Sequence, residues 1–567
     1  MLNKCSLAAI AFFLGIVMAP PAYSQHINER NGIRRVLLVS IDGMHALDYE
    51  NCVNAGTCPN LAGLGKTGVN YTRTSTSKPS DSFPGLMALV TGGTPRLVGA
   101  FYDVAYDRVL APPQNTTGNG VAGGSCTVGV ANGTTTEYEE GVEIDQTSLT
   151  GGGPYSMTDG GTKSIDPTRL PRDPFNKCNP VYPWNFIRAN TIYGVIHAAG
   201  GFTAWSDKHA VYAAVSGPTG TALPSNVDDY YSPEVNSNVV ALPGVTTANG
   251  APCGTIRDNN KATWVDSFLN IQCYDQLKVN AVVNWINGRS HLGTSKAPVP
   301  NIFGMNFQSV SVGQKLIEGG VKGGYTDAAG TPTGSMLGEI EFVDAAIGQM
   351  VTALKHQGLL SSTLIIITAK HGQSPVDTNR FFPIPGHSGL NGTSPADVLV
   401  NADPTYLPFS ESPLNSTGIG PTQDDISQLW LAPGKDLLGA VALLEANAAA
   451  AGIGQIFYGP SLETMFNAPG LPPNGDPRTP DIIVQPNVGV IYTGSSKKQA
   501  EHGGFAQDDT NVMLLVSNPG FAARTVTSFV ETTQVAPTIL QSLGLDPDQL
   551  DAVRKEGTPV LPGLPLK

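Results

Sequence analysis

Charge is scarce in this sequence. Asp, Glu, Lys and Arg make up 14% of its 567 residues, and the balance is acidic, with a net charge of −13. Nucleic-acid grooves carry a basic footprint, so none is expected here. A site for a small phosphate-bearing molecule stays compatible, because local charge can oppose the net charge. Long apolar runs are also missing: beyond the N-terminus no segment reaches the ~18 continuous apolar residues of a membrane-spanning helix. There is no internal repeat, no heptad pattern, no Cys-x-x-Cys pair and no Cys/His spacing of zinc-finger type. Solenoids, coiled coils and small zinc modules are thereby set aside.

What is present begins with an export signal. Lys4 precedes an apolar stretch over residues 6–19, and Ala22-Tyr23-Ser24 offers a small-x-small cleavage site before Gln25. Residues 1–24 are therefore predicted to be a signal peptide and 25–567 a single mature domain, periplasmic or secreted. Cys5 leaves with the signal. The even set Cys52, Cys58, Cys126, Cys178, Cys253 and Cys273 suggests disulfides in an oxidising compartment. Pairing sequence neighbours (52–58, 126–178, 253–273) is one choice among the 15 connectivities that six cysteines allow.

Periodicity predicts an α/β fold. Apolar runs at 35–41 and 363–368 suit buried parallel strands, and 301–310, 481–485 and 511–517 are further strand candidates. Residues 82–91 read as a helix with Ser82 at its N-cap and Pro84 in the first turn. Met336, Ile340, Val343, Ile347, Met350, Val351 and Leu354 make the stripe of an amphipathic helix over 335–357, and 435–450 is another helix. Strands alternating with helices imply a mostly parallel sheet covered by helices on both faces. Residues 106–182 and 210–260, rich in Gly, Thr and Pro, break the rhythm and are predicted to be cap insertions.

In such sheets ligands bind beyond the carboxyl ends of the strands. That rule selects Asp42 after the first strand, Lys370 and His371 after 363–368, and His502 in EHGGFAQDD. Acid and imidazole groups there can hold a divalent metal, and Ser82 places a hydroxyl where a helix N-terminus attracts an anion. Each also has a plainer role: an N-cap serine, a turn aspartate, core histidines. The cluster Trp205-Ser206-Asp207-Lys208-His209 follows a plausible strand, GFTAW. It is either substrate contact or extra charge at the site, or a solvated loop; the loop is the simpler expectation.

Taken together, SIDGM (40–44), KPSDSFPGLMALVTGGTP (78–95), TAKHGQS (368–374), EHGGF (501–505) and the ending TTQVAPTILQSLGL (532–545) resemble the type I phosphodiesterase/nucleotide-pyrophosphatase family of the alkaline phosphatase superfamily. The resemblance implies an alkaline-phosphatase-like core, a Ser82 nucleophile that forms a covalent phospho-enzyme, and one or two divalent ions, zinc first. Asp42 and His371 would hold one ion and Asp327 and His502 the other. The substrate would be a small phosphate ester.

Two positions depart from the family pattern. Lys370 stands where an Asp precedes the motif histidine, and Thr331 stands where a histidine should follow Asp327. Asn306 or Gln308 could instead end the strand that supplies the second site. A protonated lysine cannot ligate a metal but can supply charge to a phosphoryl oxygen. Lys370 is therefore read as a catalytic residue that replaces part of the lost metal charge. Two alternatives stay open: a non-catalytic descendant that binds an anion or a partner, and a hydrolase of sulfate or phosphonate esters. Oligomeric state and natural substrate are not readable from the sequence.

Overall fold

The computed structural model describes residues 32–117, 120–138, 162, 165–235, 239–257, 264–385, 392–408, 422–493 and 498–566. The expected signal peptide, and parts of both expected insertions, lie outside the described residues.

Eight strands form the central sheet: β1 (Arg35–Ile41), β2 (Gly68–Tyr71), β3 (Ala204–Ser206), β4 (Asp229–Tyr231), β5 (Ile302–Phe307), β6 (Thr363–Thr368), β7 (Leu515–Ser517) and β8 (Arg524–Val526). They lie in the order β8-β2-β7-β6-β1-β5-β3-β4. β6, β1, β5, β3 and β4 run parallel to one another, and β7 is antiparallel to both β6 and β2. Side chains alternate across a strand, and the core divides accordingly. Val36 and Leu38 of β1 enter one apolar cluster, while Leu37, Val39 and Ile41 enter the other. The first cluster takes in helices α1 (Ser82–Thr91) and α4 (Val535–Ser542), and the second takes in α2 (Phe268–Ile286) and α3 (Gly334–His356). Burial on both faces is why these strands read as unbroken apolar runs.

Boundaries moved where tertiary pairing decided them. The 301–310 run splits into β5 and a helix over Ser309–Lys315. The 511–517 run is a strand only from Leu515, because Met513 bonds back to Met44 and Val512 bridges to His45. The 481–485 candidate does not join the central sheet. Ile482–Pro486 lies in a separate four-stranded sheet, antiparallel to Ser427–Leu429 and Ile453–Tyr458. That sheet has its own apolar core, which includes Leu399, Leu429, Leu444, Ile482 and Val484.

The stretch from 210 is only partly cap. Ala210–Ser216 is a wholly buried 3-10 helix, and Asp229–Tyr231 is an edge strand of the main sheet. Within the other stretch, Tyr138 packs against the Phe83 and Phe186 rings, with centroids 6.0 and 4.8 Å away. All three sequence-neighbour disulfides are present: Cys52–Cys58, Cys126–Cys178 and Cys253–Cys273.

Asp476 fastens the smaller sheet's loops to the main body. Its carboxylate accepts from Arg188 Nη1 and Nη2 at 2.5 and 2.9 Å and from Asn467 Nδ2 at 3.0 Å. Burial works against its charge, but Arg188 prevails and holds the group down at about 2. A depressed acid contributes stability above its unfolded value, and the contribution is lost as pH falls through the folded value. Asp476→Asn is therefore expected to cost about 2 kcal/mol in denaturant unfolding at pH 7. The difference from wild type should shrink as pH falls from about 4 toward 2; a constant gap across that window would contradict this assignment.

Candidate active site

Four adjacent parallel strands deliver residues to one point beyond their carboxyl ends. Asp42 follows β1, Asp207 and Lys208 follow β3, Asn306 and Gln308 end β5, and Lys370 and His371 follow β6. Backbone bonds lock these ends together: Asp42 N donates to Phe307 O and Gly43 N to His371 O, both at 3.0 Å. Gly43 sits at φ +80°, left-handed backbone that suits glycine.

The segment carrying His502 is drawn in by bridges from Glu501 to Ser374 and from Gly503 to Ser80. Ser82 is the first residue of α1, not its cap. The cap is Asp81, whose carboxylate accepts from Phe83 N at 3.2 Å. The Ser82 hydroxyl is thereby released from the capping role.

Ser82 is fully buried, and its Oγ sits among three partners. His371 Nε2 is 3.2 Å away, Asp42 Oδ2 is 3.4 Å away, and Lys208 Nζ donates to it from 3.2 Å. His371 Nδ1 faces Gly372 O at 2.8 Å. A carbonyl only accepts, so the Nδ1 position carries the proton and Nε2 of the neutral ring is left as an acceptor toward Ser82. The His371 and His502 rings lie against each other, tilted by 36° with centroids 4.0 Å apart, and His502 Nδ1 is 3.4 Å from Asp81 Oδ1.

Asp42 Oδ2 also accepts from Asn306 Nδ2 at 3.0 Å and Gln308 Nε2 at 2.7 Å. Both residues raised for that strand end thus reach the site, where their amides bind the aspartate. Behind them, Asp275 accepts from Gln308 N and Ser309 N and pairs with buried Lys278 at 2.9 Å.

Burial disfavours the Asp42 carboxylate, but Lys370, His371 and Lys208 hold it well below the usual range, so it stays ionised. Burial, with Lys315, His371 and Lys208 nearby, pushes His502 well below the ordinary histidine value, which keeps it neutral.

Three positions differ from the sequence expectation. Asp327 is exposed in a turn, where its carboxylate accepts from Ala329 N and Thr331 N at 3.0 and 3.1 Å. It is not gathered at Ser82. Lys370 does not bond the serine either: its ammonium is held by both oxygens of Asp207 at 3.0 Å and lies 4.1 Å from the centre of the Tyr212 ring. The cluster at 205–209 is no solvated loop, since Trp205 and Asp207 are inaccessible and Lys208 is 8% exposed. Lys208, whose ammonium reaches Ser82 Oγ, was weighed in the sequence only within the 205–209 cluster, where a solvated loop was the simpler expectation. The signal was there: it follows a short strand ending in the sheet's interior, as Asp42 and Lys370 do.

The implied metal pair can be tested against these donors. Asp42 Oδ2, Ser82 Oγ and His371 Nε2 stand 3.2 to 3.7 Å from one another. That is close to the ~3.3 Å edge of a tetrahedron with ~2 Å metal bonds, so one ion could be shared there. The second position of the two-ion pattern does not fit, because Asp327 is elsewhere and amides and ammoniums occupy the remaining strand ends. Among the described residues, no group of three or more His, Cys, Asp or Glu side chains is arranged to hold a metal. None of the described helices is long and apolar enough to cross a membrane.

Comparison with known proteins agrees with this arrangement of elements. The family profile described as type I phosphodiesterase / nucleotide pyrophosphatase matches residues 36–182 and 320–509. Murine ectonucleotide pyrophosphatase / phosphodiesterase 5 superposes with a TM-score of 0.51 at 15% identity, over 90% of this chain and 95% of that one. An inactive variant of that murine protein in complex with AMP gives a TM-score of 0.52 at 15% identity over the same shares. The alkaline phosphatase PafA gives 0.52 at 11% identity, over 91% of this chain and 96% of that one. No curated protein matches in sequence. With more than half of its length matched, the chain belongs to the type I phosphodiesterase / nucleotide pyrophosphatase family of the alkaline phosphatase superfamily and is a phosphoric ester hydrolase.

Proposed function

We propose that this protein is an exported enzyme that cleaves small phosphodiesters or pyrophosphates by a two-step displacement on Ser82. The observation that carries the reading is the buried Ser82 Oγ at a helix start, 3.2 Å from an imidazole nitrogen set to accept its proton. Three disulfides support export.

In the first step the Oγ–P bond forms as the bond to the leaving oxygen breaks, and the serine proton passes to His371 Nε2. The leaving oxygen takes its proton from solvent. In the second step water attacks phosphorus, neutral His502, beside His371, accepts its proton, and Oγ departs and recovers the proton from His371. Asp42 orients the serine and steadies the imidazolium that forms. Lys370, paired with both oxygens of Asp207, braces the site from behind.

A second reading keeps a divalent ion, zinc by preference, between Asp42, Ser82 and His371. Their 3.2 to 3.7 Å spacing favours it. Such an ion would lower the serine pKa and neutralise phosphoryl oxygens. Sulfate and phosphonate esters offer the same tetrahedral anion, and fold alone does not choose among them.

The test is acid-quenched mass spectrometry during turnover of bis(p-nitrophenyl) phosphate, p-nitrophenyl phosphate and p-nitrophenyl sulfate. A phosphoryl adduct on the Ser82 peptide, strongest with the diester, is expected. Turnover with an adduct elsewhere, or none, removes the mechanism. Elemental analysis of the same sample decides between the two readings of the charge.

A further inference from the structure

We infer that Lys208 is a catalytic residue whose ammonium supplies to Ser82 the activating charge that the family pattern assigns to metal ions. This rests on the Ser82 mechanism above and extends it.

Three observations converge. First, Lys208 Nζ is 3.2 Å from Ser82 Oγ, the reacting atom, inside a buried site. Second, the surroundings direct its charge there. Asp207, its chain neighbour, is engaged by the Lys370 ammonium at both oxygens, by Trp205 Nε1 at 3.0 Å and by the backbone N–H of Lys208 at 2.9 Å; the ionised Asp42, which Lys208 helps to hold charged, shares Ser82 Oγ with it. The Lys370–Asp207 pair is a buried, matched couple that fixes the backbone from which Lys208 projects, and Lys208 O is tied to Val235 N. Asp207 and Lys370 are therefore positioning residues, and Lys208 presents the charge. Third, the residues that stand in for metal ligands come from outside the family-matched segments. Lys208, Asn306 and Gln308 all fall in the gap between the two matched stretches, 36–182 and 320–509. The same chain that has Lys370 where the family pattern has a metal ligand thus supplies an ammonium at the nucleophile and amides at the aspartate.

During attack, Lys208 keeps its proton. The Oγ proton goes to His371 Nε2, the Oγ lone pair forms the bond to phosphorus, and the bonding pair to the leaving oxygen departs with that oxygen. The ammonium meets the charge growing on Oγ and then on the phosphoryl oxygens. A preorganised donor of this kind, removed singly, costs about 100- to 1000-fold in kcat.

The experiment compares wild type with Lys208→Met, Lys208→Arg and Lys208→Ala. It uses bis(p-nitrophenyl) phosphate turnover before and after exhaustive chelation, and Ser82 labelling by a fluorophosphonate. Expected are wild-type turnover unchanged by chelation, a kcat for Lys208→Met lower by at least about 100-fold with KM within about threefold, and a smaller loss in Lys208→Arg. Ethylammonium should partly restore Lys208→Ala, a response that a purely structural lysine would not give. Melting curves separate these effects from unfolding.

The inference is overturned, with the Ser82 mechanism intact, if chelation abolishes wild-type turnover and zinc restores it. It is equally overturned if Lys208→Met labels and turns over within about threefold of wild type. If Ser82 is neither labelled nor needed for turnover, the underlying mechanism falls, and this inference with it.

Discussion

Ser82→Ala is expected to lower kcat by about 10⁴-fold or more, the scale seen when a covalent nucleophile is removed from a working set. The melting temperature should hardly move. The helix cap is Asp81, which bonds Phe83 N, so α1 keeps its start without the serine hydroxyl. What the substitution removes is one hydroxyl among Lys208, Asp42 and His371. Losing it leaves polar neighbours with one partner fewer, a cost of about 1 kcal/mol. A Ser→Ala change at a true N-cap would cost a comparable amount through the helix alone, so stability does not discriminate between the roles; kcat does. Retention of a tenth or more of wild-type kcat would mean that the hydroxyl is not the attacking atom.

Much of this fold was legible because its strands are buried on both faces. RVLLVSI and TLIIIT coincide with β1 and β6, and SFPGLMALVT coincides with α1. The stripe from Met336 to Leu354 faces the core except for partly buried Val351. Partner choice was not legible. DIIVQ has the composition of a core strand, yet it pairs antiparallel in the smaller sheet, because hydrophobicity records burial and not which neighbour provides it.

The site divides along the same line. Asp42, Ser82, His371 and His502 meet: Asp42 and His371 follow strands whose ends the sequence marks, Ser82 opens a helix whose start it marks, and His502 was singled out by its EHGGF segment. Asp327 was chosen by motif spacing across an apparent insertion, and its side chain serves a surface turn. Lys208 follows the three-residue β3 inside the GFTAW run that the sequence marked as a strand, but only the pairing of β3 with β5 brings it to Ser82. Asn306 and Gln308 were raised only as the end of their strand; that their amides serve Asp42 is visible only from the oxygen that they share.

The largest structural effect is expected at Gly85. On an exposed helix, Gly→Ala stabilises by up to about 1 kcal/mol. At Gly85 the sign should reverse, because a Cβ there would press into the Lys370 backbone, meeting its carbonyl oxygen, its carbonyl carbon at 2.8 Å and its Cα at 3.0 Å. The obstacle is main chain held in β6 register and in the Gly43–His371 bond, so no side chain can swing aside. The absence of a side chain at Gly85 is what lets α1 approach closely enough for Ser82 to reach His371. Gly85→Ala is therefore expected to destabilise the protein by about 2–4 kcal/mol, in the upper range for overpacking a core. It should also reduce kcat by about 10-fold or more by moving Ser82 away from Lys208 and His371. Gly338→Ala on α3 is the control: nothing lies within 4 Å of the position its Cβ would take, so it should be neutral or stabilising. Denaturant unfolding and kcat measured on both variants decide the matter. If Gly85→Ala is as stable and active as Gly338→Ala, the close approach of α1 to the β6 end does not hold the site together.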